Sequence, residues 1–268
     1  MDRAASLLSI LLDPKLQPLR SIRAQDDKFQ SHLLGLAACY FHFSATAVSM
    51  SSLPSAITSL ASYAQQLAAH PQSEPAEILS IVSALGLQRH PEGGYFVETD
   101  RDTTKIPNPF IRQGSEEAAV SEQDATRDTS TTIFYLLSPS SPFGAFHRNK
   151  GRTVHTLHSG RGCYIMVDTN EAERKSGARA QVEVFVVGHD LAHGEKLQWI
   201  VEGGKFKASF LLSDQGQVQS TKGLLISETV TPGFEFSDHD FMTAQTLNEV
   251  ATTEQIKELS WLLRKSED

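Results

Sequence analysis

The chain has 268 residues, 24 Lys+Arg against 32 Asp+Glu, and a formal net charge of −8. Such a length holds one domain of about 150–200 residues with extensions, or two small domains. The acidic balance excludes a phosphate-tracking nucleic-acid binder, and two cysteines, Cys39 and Cys163, exclude a disulfide framework or a Cys-rich zinc module.

The N-terminal third is uneven. From Phe29 to Ser73 there is no Asp, Glu, Lys or Arg. Its densest apolar run, Leu33 to Phe41, is well short of the ~20 residues that span a bilayer. Met1 is followed by Asp2 and Arg3 rather than a basic, then apolar, secretory leader. A cytoplasmic protein without membrane attachment is therefore expected. Met50 is a plausible second start, so 1–54 reads as a poorly ordered leader or gene-model extension.

Residues 55–70 place Ile57, Leu60, Ala61, Ala64, Leu67 and Ala68 at helical spacing. Pro71 and Pro75 break the chain. Pro75 then opens a second helix with Ile78, Leu79, Ile81, Val82 and Leu85 on its apolar side, and Gly86 ends it. Gly94–Thr99 reads as a strand, and the polar stretch 102–130 as a solvated insertion loop. From Thr131 short β-rich runs recur: Thr131–Leu137, Gly144–His147, Thr153–His158, Cys163–Val167, Val182–Val187, Leu197–Val201, Lys207–Leu212 and Leu224–Thr229. Pro and Gly turn signals separate most of them, which points to a jelly roll rather than a parallel βαβ sheet. Helix returns at Thr253–Arg264, and no internal repeat is visible. The expected organisation is a helical extension at 55–73, a β domain over 75–250, and a C-terminal helix and tail at 251–268.

Chemistry concentrates in the histidines. His147, His155 and His158 fall on two adjacent strands, and imidazole serves both as metal ligand and as acid–base group near neutral pH. Strand alternation sends His155 and His158 to opposite faces unless a bulge intervenes, so His147 shares an interior with one of them. A second constellation is His90-Pro91-Glu92-Gly93-Gly94-Tyr95-Phe96, where the double glycine permits a tight turn that can aim Glu92. Aromatic residues alternate with polar ones along the strands. Most belong to the core, and a few can line an apolar pocket.

The segment Leu85–Thr99 resembles the opening signature of the cupin-5 family, small jelly-roll proteins described as a domain of unknown function. Thr131–Leu137 is similar to its next element, Phe146-His147-Arg148 through His158-Ser159-Gly160 to its first cupin motif, and Val230–Asp238 to its closing strand. The resemblance covers about Pro75 to Thr246. It implies an all-β double-stranded β-helix (cupin jelly roll) with a pocket in the barrel, commonly a homodimer. In cupins generally that pocket holds a divalent metal on His and Glu, whereas others do acid–base chemistry without metal.

The chain departs from the family pattern after His147-Arg148. An acidic pair is replaced by Arg152 and Thr153, an aromatic by His155, and a histidine by Thr156. In the second motif Glu202 stands for a proline and Lys207 for a polar residue. Lost acidic and imidazole donors with added cations disfavour a metal. No cofactor is therefore expected; were a divalent metal present, His147, His155 and His158 would be its ligands.

The leading expectation is a metal-independent isomerase, epimerase or cyclase of a small molecule, such as occurs in secondary metabolism. His147 and Glu92 would form its acid–base pair, and a desolvated Lys207 would act as base or Schiff-base amine. Arg148 and Arg152 would clamp an anionic group, with His155, His158, Tyr95, Phe146 and Phe206 completing the ligand site. The alternatives are a metal-dependent oxidoreductase and a non-catalytic binding cupin.

Overall fold

A computed structural model describes residues 53–70, 73–111, 125–169, 179–217 and 219–264. The expected leader therefore lies outside the described residues, apart from Leu53 and Pro54, which open a helix.

The chain builds α1 (Leu53–Ala69) and α2 (Ala76–Leu85), each amphipathic at the spacing read from the sequence. Pro75 takes the cap position one residue before α2, and Gly86 closes it at φ 67°, a left-handed conformation that glycine adopts freely. Eleven strands of two sheets follow. They are β1 (Gln88–Arg89), β2 (Tyr95–Arg101), β5 (Thr131–Leu137), β6 (Phe143–Asn149), β7 (Arg152–Ser159), β8 (Gly162–Asp168), β9 (Gln181–Val187), β10 (Gln198–Val201), β11 (Phe206–Leu211), β12 (Leu224–Thr231) and β13 (His239–Phe241). One sheet runs β1-β2-β5-β12-β7-β10 and the other β13-β6-β11-β8-β9. All their ladders are antiparallel. The all-β jelly roll expected from the sequence is the fold found.

The stretch 102–130 is not merely a solvated loop. Its ends pair as a ribbon of β3 (Lys105–Pro107) and β4 (Thr126–Asp128), while 112–124 lie outside the described residues. Arg127 and Asp128 of the ribbon are buried. Asp128 accepts from Arg101 and Lys105, and Arg127 donates to Asp238, so ion pairs fasten the ribbon to the barrel. The C-terminal helix likewise comes in pieces: α3 (Ala244–Val250), then α4 (Thr253–Leu259), then a 3-10 turn at Ser260–Leu262. Thr252 and Gln255 form a capping box that restarts the helix at Thr253, where the apolar stripe predicted it.

Three apolar clusters hold these layers. Between the sheets lie Tyr135, Leu157, Tyr164, Met166, Trp199 and Ile226. Outside the five-stranded sheet, α1, α3 and α4 pack on Phe146, Cys163, Ile165, Phe206 and Phe210. Outside the six-stranded sheet, α2 covers Tyr95 and Leu136. Both sheets are thus buried on two faces over much of their area, which leaves the inner face free to carry polar groups. Among the described residues no helix is long and apolar enough to cross a membrane.

Candidate functional site

Glu92 is placed by the turn between β1 and β2. The Gly93 N–H donates to the His90 carbonyl at 3.0 Å, and the Glu92 N–H to His90 Nδ1 at 3.2 Å. The Glu92 carbonyl receives the Ala145 N–H of β6 at 2.7 Å, and Tyr135 Oη donates to the Gly93 carbonyl at 2.9 Å. Gly93 and Gly94 sit at φ 111° and 74°, and a Cβ on them would lie 2.2 Å from the Phe143 carbonyl oxygen and 2.5 Å from that of Leu136. Only glycine fits either position. The turn is pinned to two strands, and the Glu92 side chain is held at the barrel mouth.

Two histidines meet it there. His147 Nε2 lies 3.2 Å from Glu92 Oε1, and His239 Nε2 lies 2.7 Å from the same oxygen. The imidazoles stack at 5.3 Å with an interplanar angle of 12°. β13 pairs with β6, setting His239 against Asn149 and Phe241 against His147. Glu92, His147 and His239 each offer a ligand atom, and these atoms all lie within 4.8 Å of one another.

The His147 tautomer follows from its bonds. Nδ1 lies 2.9 Å from the Ala145 carbonyl, an acceptor only, so Nδ1 carries the proton and Nε2 a lone pair. Burial lowers the His147 pKa to about 4, aided by the Lys207 charge and opposed by Glu92. Burial acts to raise the Glu92 pKa, but the imidazoles of His147 and His90, the His239 hydrogen bond and Lys207 together hold it at about 2. At neutral pH two lone pairs therefore confront each other at 3.2 Å. Both shifts make stability fall on acidification, because the unfolded chain binds the protons first. His147 acts as pH drops from its ordinary 6.5 to about 4, and Glu92 from 4.5 to about 2. Urea midpoints of the metal-free protein are expected to fall steadily from pH 7 to pH 4, and a flat profile would contradict this geometry.

Next to His147, whose ladder partner is Lys207, lies a second triad. Lys207 Nζ donates to Glu228 Oε2 at 2.6 Å and to His155 Nε2 at 2.8 Å. His155 stacks on Trp199 at 5.1 Å. Lys207 comes from β11 in one sheet, and His155 and Glu228 are ladder partners in the other. The charge pair thus crosses the barrel.

A cavity of about 170 Å³ opens on Glu92, His147 and Glu228 of these groups; His239, Lys207 and His155 stand behind its wall. Its wall carries four glutamates, Glu92, Glu98, Glu228 and Glu235, against one arginine, Arg101. Arg101 is already committed to Glu98, Asp128 and Glu235. With Glu228 held by Lys207, Glu92 is the one wall glutamate that has no Lys or Arg partner among the described residues.

Strand parity decides the remaining expected residues. On β7 the burial pattern alternates, with Thr153, His155 and Leu157 inward and Arg152 and His158 outward. His158 is exposed, with Phe134 against its ring edge, so the alternative metal set of His147, His155 and His158 does not assemble. Arg152 is exposed and pairs with Glu202; Arg148 pairs with Asp240 over the Phe206 ring. Neither arginine faces the cavity, so the anion clamp expected of them is absent. Phe146 and Phe206 lie under the helices, because they alternate with inward His147 and Lys207. Tyr95 points outward and donates to Glu74 at 2.9 Å, while its neighbour Phe96 lines the cavity. Sequence reasoning missed His239 and Glu228. Glu228 had a signal, a charged residue in phase with Ile226 and Val230; His239 is reached only through long-range pairing.

Comparison with known proteins agrees with the fold. The family model described as "Cupin superfamily (DUF985)" matches residues 79–242. The uncharacterized protein YML079W of Saccharomyces cerevisiae is 40% identical over 191 residues, 70% of this chain and 87% of that protein. A hypothetical protein from Leishmania major is 25% identical with a TM-score of 0.54, over 71% of this chain and 99% of that one. Protein SO0799 from Shewanella oneidensis is 23% identical with a TM-score of 0.51, over 73% of this chain and all of that one (100%).

Proposed function

Because the chain belongs to the cupin superfamily family DUF985, we propose that its barrel cavity is the active site of a small-molecule enzyme. It moves a proton on its substrate, in the manner of an isomerase or lyase, at Glu92, His147 and His239, which hold a divalent transition-metal ion.

One observation carries the reading. The His147 Nε2 lone pair faces ionised Glu92 at 3.2 Å, and a cation resolves that conflict. The donor set fits such an ion, since two imidazoles and one carboxylate are a common transition-metal combination. The Ala145 carbonyl supplies the outer hydrogen bond that orients a metal-binding histidine. Depressed pKa values leave Glu92 and His147 unprotonated at neutral pH, so little proton competition opposes binding at these two donors. The sequence-based argument against metal rested on positions 152, 153 and 156 and on the cations Arg152 and Lys207. Arg152 faces solvent, and Lys207 is neutralised by Glu228.

When bound, such an ion would polarise a substrate oxygen and acidify a neighbouring C–H or bound water. The chain's own groups do the rest. Without the ion, Glu92 accepts the His239 Nε2–H and so orients that imidazole; a bound ion would take the place of that proton. The aromatic walls, among them Phe96 and Phe234, exclude water from the reacting atoms. The Glu92–His239 bond also supports a metal-free reading, since a carboxylate–imidazole pair transfers protons unaided.

Metal analysis decides between the two. Protein purified without a chelating column is expected to carry close to one Mn, Fe, Ni or Zn per chain, or to bind one on addition. Metal-free protein that refuses all four ions overturns the metal centre and leaves the acid–base pair.

A further inference from the structure

We infer that the cavity selects a ring-bearing molecule with a hydrogen-bond donor, an alcohol or a protonated amine, and that Glu228 is the specificity-determining residue receiving that donor. This rests on the small-molecule reading of the same cavity.

Glu228 lies on the inner face of β12, flanked by inward Ile226 and Val230. Both its polar contacts fall on Oε2, from Lys207 at 2.6 Å and from His155 at 3.2 Å. A carboxylate offers about four lone-pair sites. Oε1 carries no hydrogen bond among the described residues, and the residue lines the cavity. Packing alone does not explain the arrangement, since a buried ion pair is commonly no more stabilising than an apolar pair of the same volume. Here the Lys207 ammonium keeps an ionised acceptor in the cavity wall, between inward Ile226 and Val230 and in a lining that includes Phe96, Tyr135 and Phe234. Such a wall penalises any ligand that cannot donate, because the acceptor would lose water and gain nothing.

The rest of the chamber narrows the ligand class. Phe96, Phe234 and Phe236 line it, and Phe236 stands 73% exposed at the mouth with its ring 5.3 Å from that of Phe234. This is apolar surface for a ring to cover. No uncommitted cation lines the cavity among the described residues, since Arg101 is held by three carboxylates. A donor N–H or O–H therefore meets the open Oε1 of Glu228, and the ligand's ring meets ring faces beside it.

The test titrates metal-loaded and metal-free protein with benzylamine, benzyl alcohol and toluene, followed by ligand-observed NMR. Benzylamine and benzyl alcohol are expected to bind about tenfold more tightly than toluene, the worth of one hydrogen bond to a charged acceptor. The gap should close in Glu228→Gln. Should that variant fail to fold, Lys207→Met/Glu228→Gln leaves no unpaired buried charge and serves instead. Toluene binding as tightly as the two donors, or no binding by any of the three, overturns the inference. A missing metal with donors still preferred counts against the metal centre alone.

Discussion

Replacing Glu92 with Gln is expected to weaken metal binding about a hundredfold or more, since loss of even an outer-sphere partner of a metal ligand costs 10–100-fold. The same substitution should cost the metal-free fold stability at neutral pH, because the groups around Glu92 favour its ionised form and hold its pKa at about 2. Glu92 Oε1 faces both His147 Nε2 at 3.2 Å and His239 Nε2 at 2.7 Å. One amide group cannot replace it toward both, since an NH2 that donates to His147 cannot accept from His239. Competition against a chromophoric chelator gives the first quantity and urea denaturation the second. A Glu92→Gln protein that is less stable yet binds metal normally would assign Glu92 to the fold.

Lys207→Met should also cost stability. It strips the partner from Glu228, which is buried at the centre of the barrel and whose pKa burial alone would raise. Breaking such a pair costs about 3–5 kcal/mol. A second change, Glu228→Leu, should return most of that loss, because two apolar side chains of similar volume replace both charges together. Urea unfolding of the two single variants and the double variant measures the coupling. A loss under about 1 kcal/mol for Lys207→Met would mean that water reaches the pair.

The fold was legible because the strands alternate cleanly between turn residues. Thr131–Leu137 was read to the residue, and the other runs were found within one or two positions. The site was legible where a local constraint speaks. Gly93 and Gly94 announced a turn that aims Glu92, and parity separated His155 from His158. Parity applied more strictly would have gone further. His147 and Phe146 cannot both face the cavity, nor can Lys207 and Phe206, nor can Tyr95 and Phe96. Arg152 was credited to the cavity for its charge, although it is one step out of phase with His155. His239 was invisible for a different reason. Its strand is three residues long, and only pairing with β6 brings it to Glu92. No local pattern encodes a partner 147 positions away in the chain.

Along β6 and β11, neighbouring residues answer to different masters: Phe146 and Phe206 to the helices, His147 and Lys207 to the space between the sheets. An engineer inherits two nearly independent alphabets on one strand. On β11 the odd positions can be rewritten to install new chemistry while the even ones preserve the folded scaffold; on β6 a bulge between Gly144 and His147 shifts the phase, so that Phe143 joins the helix side. A single-residue insertion in either strand would exchange the two alphabets and forfeit both.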